Sequence, residues 1–358
     1  MTLIVPERWT SGLGTIAAQA EPAETKLHLV ILRSGGKSHS NLYWLHGLGR
    51  AIRKARPDAI YVDEDPAGLA SAQVAWFARR VGAGFVLMNI QNILKVYPPP
   101  FSFIQRFVFR RAAAAVCHTQ QAVDVLRARG YEKRTFLMPF STDVAPLSQE
   151  ERDAVRNAHG MTHRTAGYVG RLVPEKGVDV FIRSIAEASD LHGVIIGNGP
   201  EREALENLAA DLKLGERLRF LGTQPPDHAI RLLGALDVLA LPSRTRANWA
   251  EQFGRVLIEA MASGVPVVAT ASGAIAEVVG DGGILVPESR DDLFSRALLE
   301  ATEPARAKDL RERGLRRVAE NYTPAIELQG LLAALSAASA KLEQAARTFS
   351  PSPASAQK

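Results

Sequence analysis

Short apolar runs alternate with amphipathic segments along almost the whole chain, and this alternation restricts the possible folds more than any other feature. Runs rich in β-branched residues recur at regular intervals, and the stretches between them show helical periodicity. Strands that alternate with helices of about 10 to 15 residues form βαβ units on parallel sheets. We therefore predict an α/β protein with two Rossmann-like, doubly wound domains that face a cleft.

The predicted strands fall into two groups. The first group covers residues 27–33, 58–62, 84–90 and 113–118, and the second covers 165–171, 191–199, 218–222, 237–243, 265–270 and 283–287. The alternation pauses at residues 143–165, which we interpret as the linker and lead-in to the second domain. Pro324 should break the helical pattern near the C-terminus. The domains predicted on this basis are 1–160, 161–322, a C-terminal helix at 323–345 that packs back on the first domain, and a disordered tail at 346–358.

Composition excludes several classes of protein. The 358 residues include one cysteine, Cys117, so an internal disulfide framework and a four-cysteine zinc site are both excluded. No uncharged apolar run approaches the roughly 18 to 20 residues that span a bilayer, and the N-terminus lacks the pattern of a signal peptide. These features predict a cytoplasmic protein.

The net charge of +5 and the isoelectric point of about 9.4 favour polyanionic partners such as nucleotides or an anionic membrane surface. Solubility alone explains the same charge. No zinc-finger spacing or aromatic RNA-binding signature is present, so a nucleic-acid partner is not expected.

Residues 101–112, FSFIQRFVFRRA, have the pattern of a basic amphipathic helix. The apolar face is predicted from Phe101, Ile104, Phe107 and Val108, with Arg106, Arg110 and Arg111 elsewhere. Such a helix suits peripheral contact with the inner face of an anionic membrane. A core helix with a solvated basic face explains the same pattern and is slightly favoured over membrane contact.

Two loops of the second half follow predicted strands and carry polar groups. Arg171 and Lys176 lie in the first of them, and a helix is predicted to begin near Gly177. In doubly wound folds, ligands bind at the carboxyl ends of strands, and two cations there suit a pyrophosphate. A surface turn with incidental basic residues is the alternative. Likewise, residues 197–199 (Gly-Asn-Gly) end the next strand, where an ordinary turn also explains them.

Residues 251–270, EQFGRVLIEAMASGVPVVAT, predict a helix that starts near Gly254 and stops at Ser263-Gly264. The backbone amides of residues 254–256 would then form a helix N-terminus, which binds phosphate. Glu251 and Glu259 would lie about 12 Å apart along the axis if the whole segment were helical. That separation is too long for one metal ion or a shared proton, so hydroxyl recognition at two ends of one ligand is favoured over paired-carboxylate hydrolysis. Solvated surface glutamates are the alternative.

These segments together resemble the family 4 glycosyltransferases, retaining enzymes of the GT-B fold. The resemblance is strong over residues 160 to 290 and weaker before them. It rests on GRLVPEKG (170–177), GNGP (197–200), LPS (241–243), EQFGRVLIEAMASGVPVV (251–268) and SGAIAEVV (272–279).

The resemblance implies a role for each matching residue. Arg171 and Lys176 would hold the donor diphosphate, Glu251 would contact the hydroxyls of the donor sugar, and Glu259 would contact those of the ribose. The remaining donor contacts implied are Gly170, Asn198, Gly199, Phe253, Gly254, Arg255 and Val256. The family also implies transfer without a metal or other cofactor, from a nucleotide-diphosphate sugar to a saccharide or lipid-linked acceptor.

The acceptor side is less well defined by the sequence. Asp63 and Glu64 follow one predicted strand, and His118 and Thr119 follow another, so all four are candidates for acceptor contacts. A solvated acidic loop and a structural histidine are the alternatives. The chain begins with MTLIVPERW, which resembles the family's second strand, and the usual Gly-rich loop does not precede it. We therefore expect a truncated N-terminal domain.

Three other functions are considered. A non-catalytic nucleotide-sugar-binding protein, or an inactive homologue, is compatible with the incomplete first domain. Another activity of the same fold, such as an epimerase or phosphorylase, is possible, although no pyridoxal-type lysine motif is recognised. An NAD-dependent dehydrogenase would need G-x-G-x-x-G after a strand, and this fingerprint does not occur.

Overall fold

The computed structural model of the chain describes residues 1–11, 14–18, 27–36, 41–288, 290–340 and 342. The predicted tail at 346–358 lies outside the described residues. The chain divides into two compact units. The first unit comprises Met1–Cys117, Val123–Met138 and Leu328–Lys358, and the second comprises His118–Ala122 and Pro139–Glu327. The main crossing between units therefore lies upstream of the boundary expected at residue 160.

The strands, in chain order, are β1 Thr2–Pro6, β2 Arg8–Ser11, β3 Gly14–Ala17, β4 His28–Leu32, β5 Ser34–Gly35, β6 Trp44–Leu45, β7 Ala59–Val62, β8 Gly84–Asn89, β9 Ala114–Cys117, β10 Arg134–Leu137, β11 Thr165–Val169, β12 His192–Ile196, β13 Leu218–Gly222, β14 Val238–Leu241, β15 Val267–Thr270 and β16 Ile284–Val286. The helices are α1 Leu48–Ala55, α2 Leu69–Val81, α3 Phe101–Arg111, α4 Gln120–Ala128, α5 Gln149–Ala158, α6 Val178–Glu187, α7 Arg202–Asp211, α8 Pro226–Gly234, α9 Arg255–Ala262, α10 Ile275–Val279, α11 Asp291–Ala301, α12 Pro304–Asn321 and α13 Pro324–Ala338.

The first unit is built on a four-stranded parallel sheet with the order β10-β9-β8-β7. β1 and β4 pair with each other as a separate parallel ribbon. Leu331 and Leu335 of the C-terminal helix α13 pack against a buried cluster of the first unit that includes Val86 and Val116. Gly330 permits this packing, because a Cβ at this position would lie 2.2 Å from the carbonyl oxygen of Leu137.

Helix α3 buries a different face from the one expected. Gln105, Val108 and Phe109 are its buried residues, whereas Phe103 is 61% exposed. Of the four apolar residues expected on the buried face, Val108 is the one that is fully covered. The helix carries five apolar residues beyond Val108, more than one face can bury, so the sequence pattern alone does not select which of them meets the core.

The second unit is a six-stranded, fully parallel sheet with the order β13-β12-β11-β14-β15-β16. This is the doubly wound order 3-2-1-4-5-6, in which the connections change direction between β11 and β14. Its core contains a large cluster that includes Phe181, Leu257 and Phe294, each fully buried. Ligands of doubly wound sheets bind outside the carboxyl ends of the strands at this switch point. The loops after β11 and β14 are therefore where a ligand site is expected.

The α/β fold class and all ten predicted strands are confirmed, as is the helix after Gly254 and the break before Pro324. The segment 143–165, expected to be the linker and lead-in to the second domain, contains a helix that the sequence analysis did not predict. Residues 149–158 form α5, whose N-terminus has a capping box between Ser148 and Glu151. Arg152 and Arg156 of this helix donate hydrogen bonds to Asp237 at 2.7 and 3.1 Å, which fixes α5 to the sheet of the second unit.

Candidate functional site

The loops after the neighbouring strands β11, β12 and β13 are joined through their backbones. The N–H of Leu172 donates to the carbonyl of Asn198 at 3.0 Å, and that of Gly197 donates to Gly222 at 2.8 Å. A Cβ on Gly197, whose φ is +140°, would lie 1.9 Å from the carbonyl oxygen of Gly170. The loops therefore lie in direct contact, and glycine is required where they meet.

Arg171 is presented to solvent by a fixed backbone. The hydroxyl of the fully buried Tyr168 donates to the carbonyl of Arg171 at 2.7 Å, while the side chain of Arg171 is exposed. Asn198 and Gly199 lie beside this loop, and the side chain of Asn198 accepts from the N–H of Gly199 at 2.9 Å. The structure thus places Arg171, Asn198 and Gly199 together at the carboxyl ends of adjacent strands.

A 3₁₀ turn at Pro174–Lys176 connects β11 to α6 and lies against the loop that follows β14. Gly177 has a φ of +62°, and a Cβ on it would lie 2.0 Å from the carbonyl oxygen of Pro242. This close approach brings the loops on the two sides of the switch point together. As a result, Lys176 from one loop reaches Glu251 from the other.

Lys176 and Glu251 form a mostly buried ion pair. The distance from Nζ to Oε2 is 2.5 Å, and the two side chains are 15% and 9% exposed. The hydroxyl of Ser243 donates to the same carboxylate oxygen at 3.0 Å. Because desolvating a charge pair costs free energy that burial of apolar groups does not, a buried pair at a ligand site is more readily explained by chemistry than by stability.

Helix α9 begins directly after this pair. Gly254 precedes it with a φ of +77°, a conformation that glycine adopts without strain. Arg255, in the first turn, is exposed. The first amides of a helix have no intrahelical acceptors, so this N-terminus is suited to an anion.

Glu259 lies in the second turn of α9 and is half-buried. Burial raises the pKa of its carboxyl group, and the charge of Arg255 opposes that rise. Within the described part of the chain, no side chain donates a hydrogen bond to this carboxylate. Such a half-buried acceptor beside a helix N-terminus is suited to binding a ligand hydroxyl.

Two of the expected donor contacts have packed side chains. The ring of Phe253 is 2% exposed and meets the rings of Phe140 and Tyr322 edge-on, at 5.1 and 5.7 Å between centroids. Val256 is half-buried against the same core. These residues position the start of α9, so any contact they make with a ligand is through the backbone.

On the expected acceptor side, Asp63 and Glu64 follow β7 in the first unit. Asp63 is exposed, whereas Glu64 is half-buried and accepts a short hydrogen bond from the hydroxyl of Tyr43. Burial is the main cause that raises the pKa of Glu64 to about 7, and the Tyr43 hydrogen bond opposes it. The hydroxyl of Tyr97 donates to Asp65 at 2.9 Å, which fixes the loop that contains these acids.

His118 and Thr119 belong to the second unit and are 5% and 1% exposed. The imidazole of His118 stacks on the ring of Phe140 at 3.8 Å between centroids, and the hydroxyl of Thr119 accepts from the N–H of Ala122 at 3.2 Å. Thr119 therefore caps α4, and both side chains are engaged in local structure. The structural interpretation of His118 is favoured over acceptor contact.

Ser243 and Trp249 were missed as site residues by the sequence analysis. Ser243 hydrogen-bonds Glu251, and the centre of the Trp249 ring lies 5.2 Å from Nζ of Lys176. The available signal was a single aromatic residue in an otherwise polar loop, two positions before Glu251.

Neither metal clusters nor membrane-spanning helices occur in the described ranges. No three or more His, Cys, Asp or Glu side chains in them are placed together as metal ligands. None of the helices in these ranges combines the length and apolarity needed to cross a bilayer.

The doubly wound sheet of the second unit and the parallel sheet of the first together define the fold as that of the GT-B glycosyltransferases. HepE of Anabaena, solved in complex with UDP and glucose, matches with a TM-score of 0.70 over 86% of each chain, at 19% sequence identity. At that identity the similarity concerns the fold. In sequence, residues 149–317 match the family described as glycosyl transferases group 1.

Two curated relatives extend the comparison. The D-inositol 3-phosphate glycosyltransferase of Nocardia farcinica is 32% identical over 298 residues, which is 75% of this chain and 64% of the relative. A GDP-mannose-dependent monoacylated alpha-(1-6)-phosphatidylinositol monomannoside mannosyltransferase of Corynebacterium glutamicum is 36% identical over 175 residues, 46% of this chain and 45% of the relative. The chain thus spans less than two thirds of the length of either.

Proposed function

We propose that the protein transfers a sugar from a nucleotide-diphosphate donor to a saccharide or lipid-linked acceptor, with retention of the anomeric configuration and without a metal ion. The proposal rests mainly on the Lys176–Glu251 pair, which joins the two loops at the switch point beside the N-terminus of α9. The match of residues 149–317 to the model of the group 1 glycosyl transferases supports it.

The charges of the site match the charge that develops during the reaction. When the glycosidic bond to the diphosphate breaks, negative charge grows on the departing phosphate oxygens. Lys176, Arg171 and the α9 amides would stabilise that charge as groups already in position before the reaction begins, which is the most effective form of electrostatic catalysis. Glu251, released from Lys176 by the phosphate, would accept hydrogen bonds from the sugar hydroxyls, and Glu259 from the ribose hydroxyls.

Donor turnover by single variants tests the proposal. Lys176→Ala and Glu251→Gln should each lower kcat about 100- to 1000-fold, the usual effect of removing one preorganised group. Arg183→Ala removes an exposed cation from α6 of the same unit and should leave turnover unchanged. UDP-glucose and GDP-mannose are the first donors to try, because the names of HepE and the C. glutamicum relative point to them.

Four outcomes would contradict parts of the proposal. Unchanged turnover in both variants would exclude the assigned site. Calorimetric binding of the nucleotide sugar without any turnover would favour a non-catalytic binding protein. Inversion at the anomeric carbon, read from the NMR spectrum of the product, or loss of activity with EDTA that Mg²⁺ restores, would overturn the proposed mechanism.

A lipid-linked acceptor fits the charge of the first unit. Helices α1, α2 and α3 contain eight Lys or Arg and no Asp or Glu, and residues 66–123 contain no acidic residue at all. Next to these charges the first unit exposes apolar side chains: Leu94 at 57%, Val96 at 91% and Phe103 at 61%. Phe103, Arg106 and Arg110 are exposed on α3, and the guanidinium of Arg106 lies 5.4 Å from the centre of the Phe103 ring.

We therefore propose that residues 94–110 contact an anionic bilayer peripherally. Basic residues draw a protein to such a surface, and exposed apolar side chains insert at its boundary. Phe103→Ser and Arg106→Gln/Arg110→Gln should each weaken flotation with phosphatidylglycerol vesicles several-fold, while Arg313→Gln/Arg316→Gln on α12 should not. Equal binding to phosphatidylcholine vesicles, or binding to nucleic acid that matches binding to the lipid, would contradict the proposal.

A further inference from the structure

The loop between β14 and Glu251 forms a small hairpin that ends in an aromatic residue. The N–H of Arg246 donates to the carbonyl of Trp249 at 2.7 Å, and the N–H of Trp249 donates back to Arg246 at 3.3 Å. Ala247 and Asn248 form the turn. The hairpin therefore carries Trp249 to a position two residues before the carboxylate of the proposed sugar site.

The base of this hairpin is held by several polar contacts. The guanidinium of Arg244 makes two 3.0 Å hydrogen bonds to Asp179 and a third, also 3.0 Å, to Asp291. The hydroxyl of Thr245 donates to Glu288 at 2.7 Å. In addition, the N–H of Arg244 donates to the carbonyl of Glu175, next to Lys176. A loop fixed in this way loses little conformational entropy when its aromatic residue meets a ligand.

The indole of Trp249 lies against the cation of the site. Its ring centre is 5.2 Å from Nζ of Lys176, and that nitrogen is 2.5 Å from Oε2 of Glu251. The ring is half-buried, so part of its surface faces solvent. Lys176 therefore lies next to both Trp249 and Glu251. The indole provides an apolar surface beside the groups proposed to hold the phosphate and the sugar hydroxyls.

We infer that Trp249 is a specificity-determining residue that packs its indole against the apolar C–H face of the transferred hexose. The inference rests on the function proposed above. A sugar offers hydroxyls at its rim and C–H groups on its faces, so a site that combines carboxylates with a rigid aromatic surface recognises both parts. Arg244 and Thr245 act as positioning residues, because they fix the hairpin without lying beside the sugar.

Calorimetric titration of the full chain separates the sugar from the nucleotide. UDP, UDP-glucose, GDP and GDP-mannose are titrated into the wild type, Trp249→Ala, Trp249→Phe and the control Trp76→Phe, which alters an exposed tryptophan of the first unit. Trp249→Ala should raise the Kd of the nucleotide sugar about three- to tenfold, the range of aromatic packing energies, and leave the Kd of the free nucleotide within twofold. Trp249→Phe should restore most of the loss.

Tryptophan fluorescence gives a second readout. The chain has four tryptophans, and emission should change when the nucleotide sugar is added to the wild type or to Trp76→Phe, beyond the change caused by the nucleotide alone. Trp249→Phe should abolish that additional change.

The outcomes distinguish failure of the inference from failure of the proposed function. If Trp249→Ala weakens nucleotide and nucleotide sugar equally, the ring serves only to hold Lys176, and the inference is overturned while the function stands. If Trp249→Ala weakens the binding of neither compound, the inference is likewise overturned and the proposed function stands. If none of the four compounds binds the wild type, both are overturned.

Discussion

At the scale of single residues, the site combines groups that are costly to bury. Glu251 is 7% exposed and is stabilised by Lys176 and Ser243, which lie on different loops. Removing one partner of such a pair leaves an uncompensated charge. A ligand phosphate that attracts Lys176 therefore changes the hydrogen-bonding capacity of Glu251 at the same time. Binding of the diphosphate and recognition of the sugar are coupled through one ion pair.

The buried carboxyl of Glu64 should make stability depend on pH. Its pKa is about 7 in the folded chain and 4.5 for an ordinary glutamate, so the folded state binds this proton more tightly. The contribution of Glu64 to stability is thus full below pH 4.5 and is lost as pH rises through 7. Glu64→Gln stays neutral, so its free energy of unfolding relative to the wild type should rise by about 1 to 3 kcal/mol between pH 5 and pH 8.

Urea unfolding at the two pH values measures this difference. Tyr43→Phe is the complementary variant, because it removes the hydrogen bond that holds the pKa of Glu64 down. Tyr43→Phe should increase the pH dependence of the free energy of unfolding, whereas Glu64→Gln should abolish the part that Glu64 contributes. If the free energies of unfolding of Glu64→Gln and the wild type differed by the same amount at both pH values, the raised pKa of Glu64 would be contradicted.

At the scale of elements, the site depends on how closely three loops approach one another. Gly197→Ala places a methyl group where the carbonyl oxygen of Gly170 lies, 1.9 Å away, and forces the β11 and β12 loops apart. We expect it to destabilise the second unit by more than about 2 kcal/mol, through steric overlap and an unfavourable φ, and to weaken nucleotide binding. Thermal unfolding and calorimetry measure the two effects.

Gly215→Ala is the matched control for this prediction. Gly215 also has a positive φ, +51°, but a Cβ there has no atom within 4 Å. It should therefore show the cost of backbone strain alone, about 1 kcal/mol, with nucleotide binding retained. If Gly197→Ala and Gly215→Ala changed stability and nucleotide binding equally, the contact between the β11 and β12 loops would be unimportant.

The elements of the second unit were predictable because their signals are local. The start of α9 follows from Gly254 and its end from Ser263-Gly264, and each strand of this sheet is a compact apolar run. The contacts between loops were not predictable. Nothing in the sequence around Arg244 indicates that it pairs with Asp179 and Asp291, since the partners are 65 and 47 residues away.

The first unit was harder to predict for a different reason. Helix α3 offers more apolar residues than one face can bury, so its exposed ring, Phe103, is decided by tertiary packing. His118 was a candidate acceptor contact because it follows a strand, yet its stacking partner Phe140 lies in a segment with no periodic signal. The sequence around Glu64 predicts that this residue follows a strand, but it does not predict that its side chain is half-buried.

At the scale of the whole molecule, the two units should respond separately to local damage. Gly330→Val overpacks the contact between α13 and β10, where a Cβ would lie 2.2 Å from the carbonyl oxygen of Leu137. We expect faster amide hydrogen exchange in β8, β9 and β10, and unchanged exchange in the sheet of the second unit.

The matched variant is Gly314→Val in α12 of the second unit, where a Cβ would meet Met261 at 3.2 Å. It should accelerate exchange around α9 and leave the first unit unchanged. Mass spectrometry of peptides after exchange resolves the two patterns. Acceleration in both units by either variant would show that they unfold as one.

The position of α13 has a consequence for synthesis on the ribosome. Residues 328–338 complete the first unit, although they are translated after nearly all of the second unit. The second unit comes almost entirely from one continuous segment and can fold as it emerges, whereas the first unit must wait for its final helix. Throughout that interval the apolar face around Val86 and Val116 lacks its cover. The nascent chain is therefore most vulnerable to aggregation in the part that was made first.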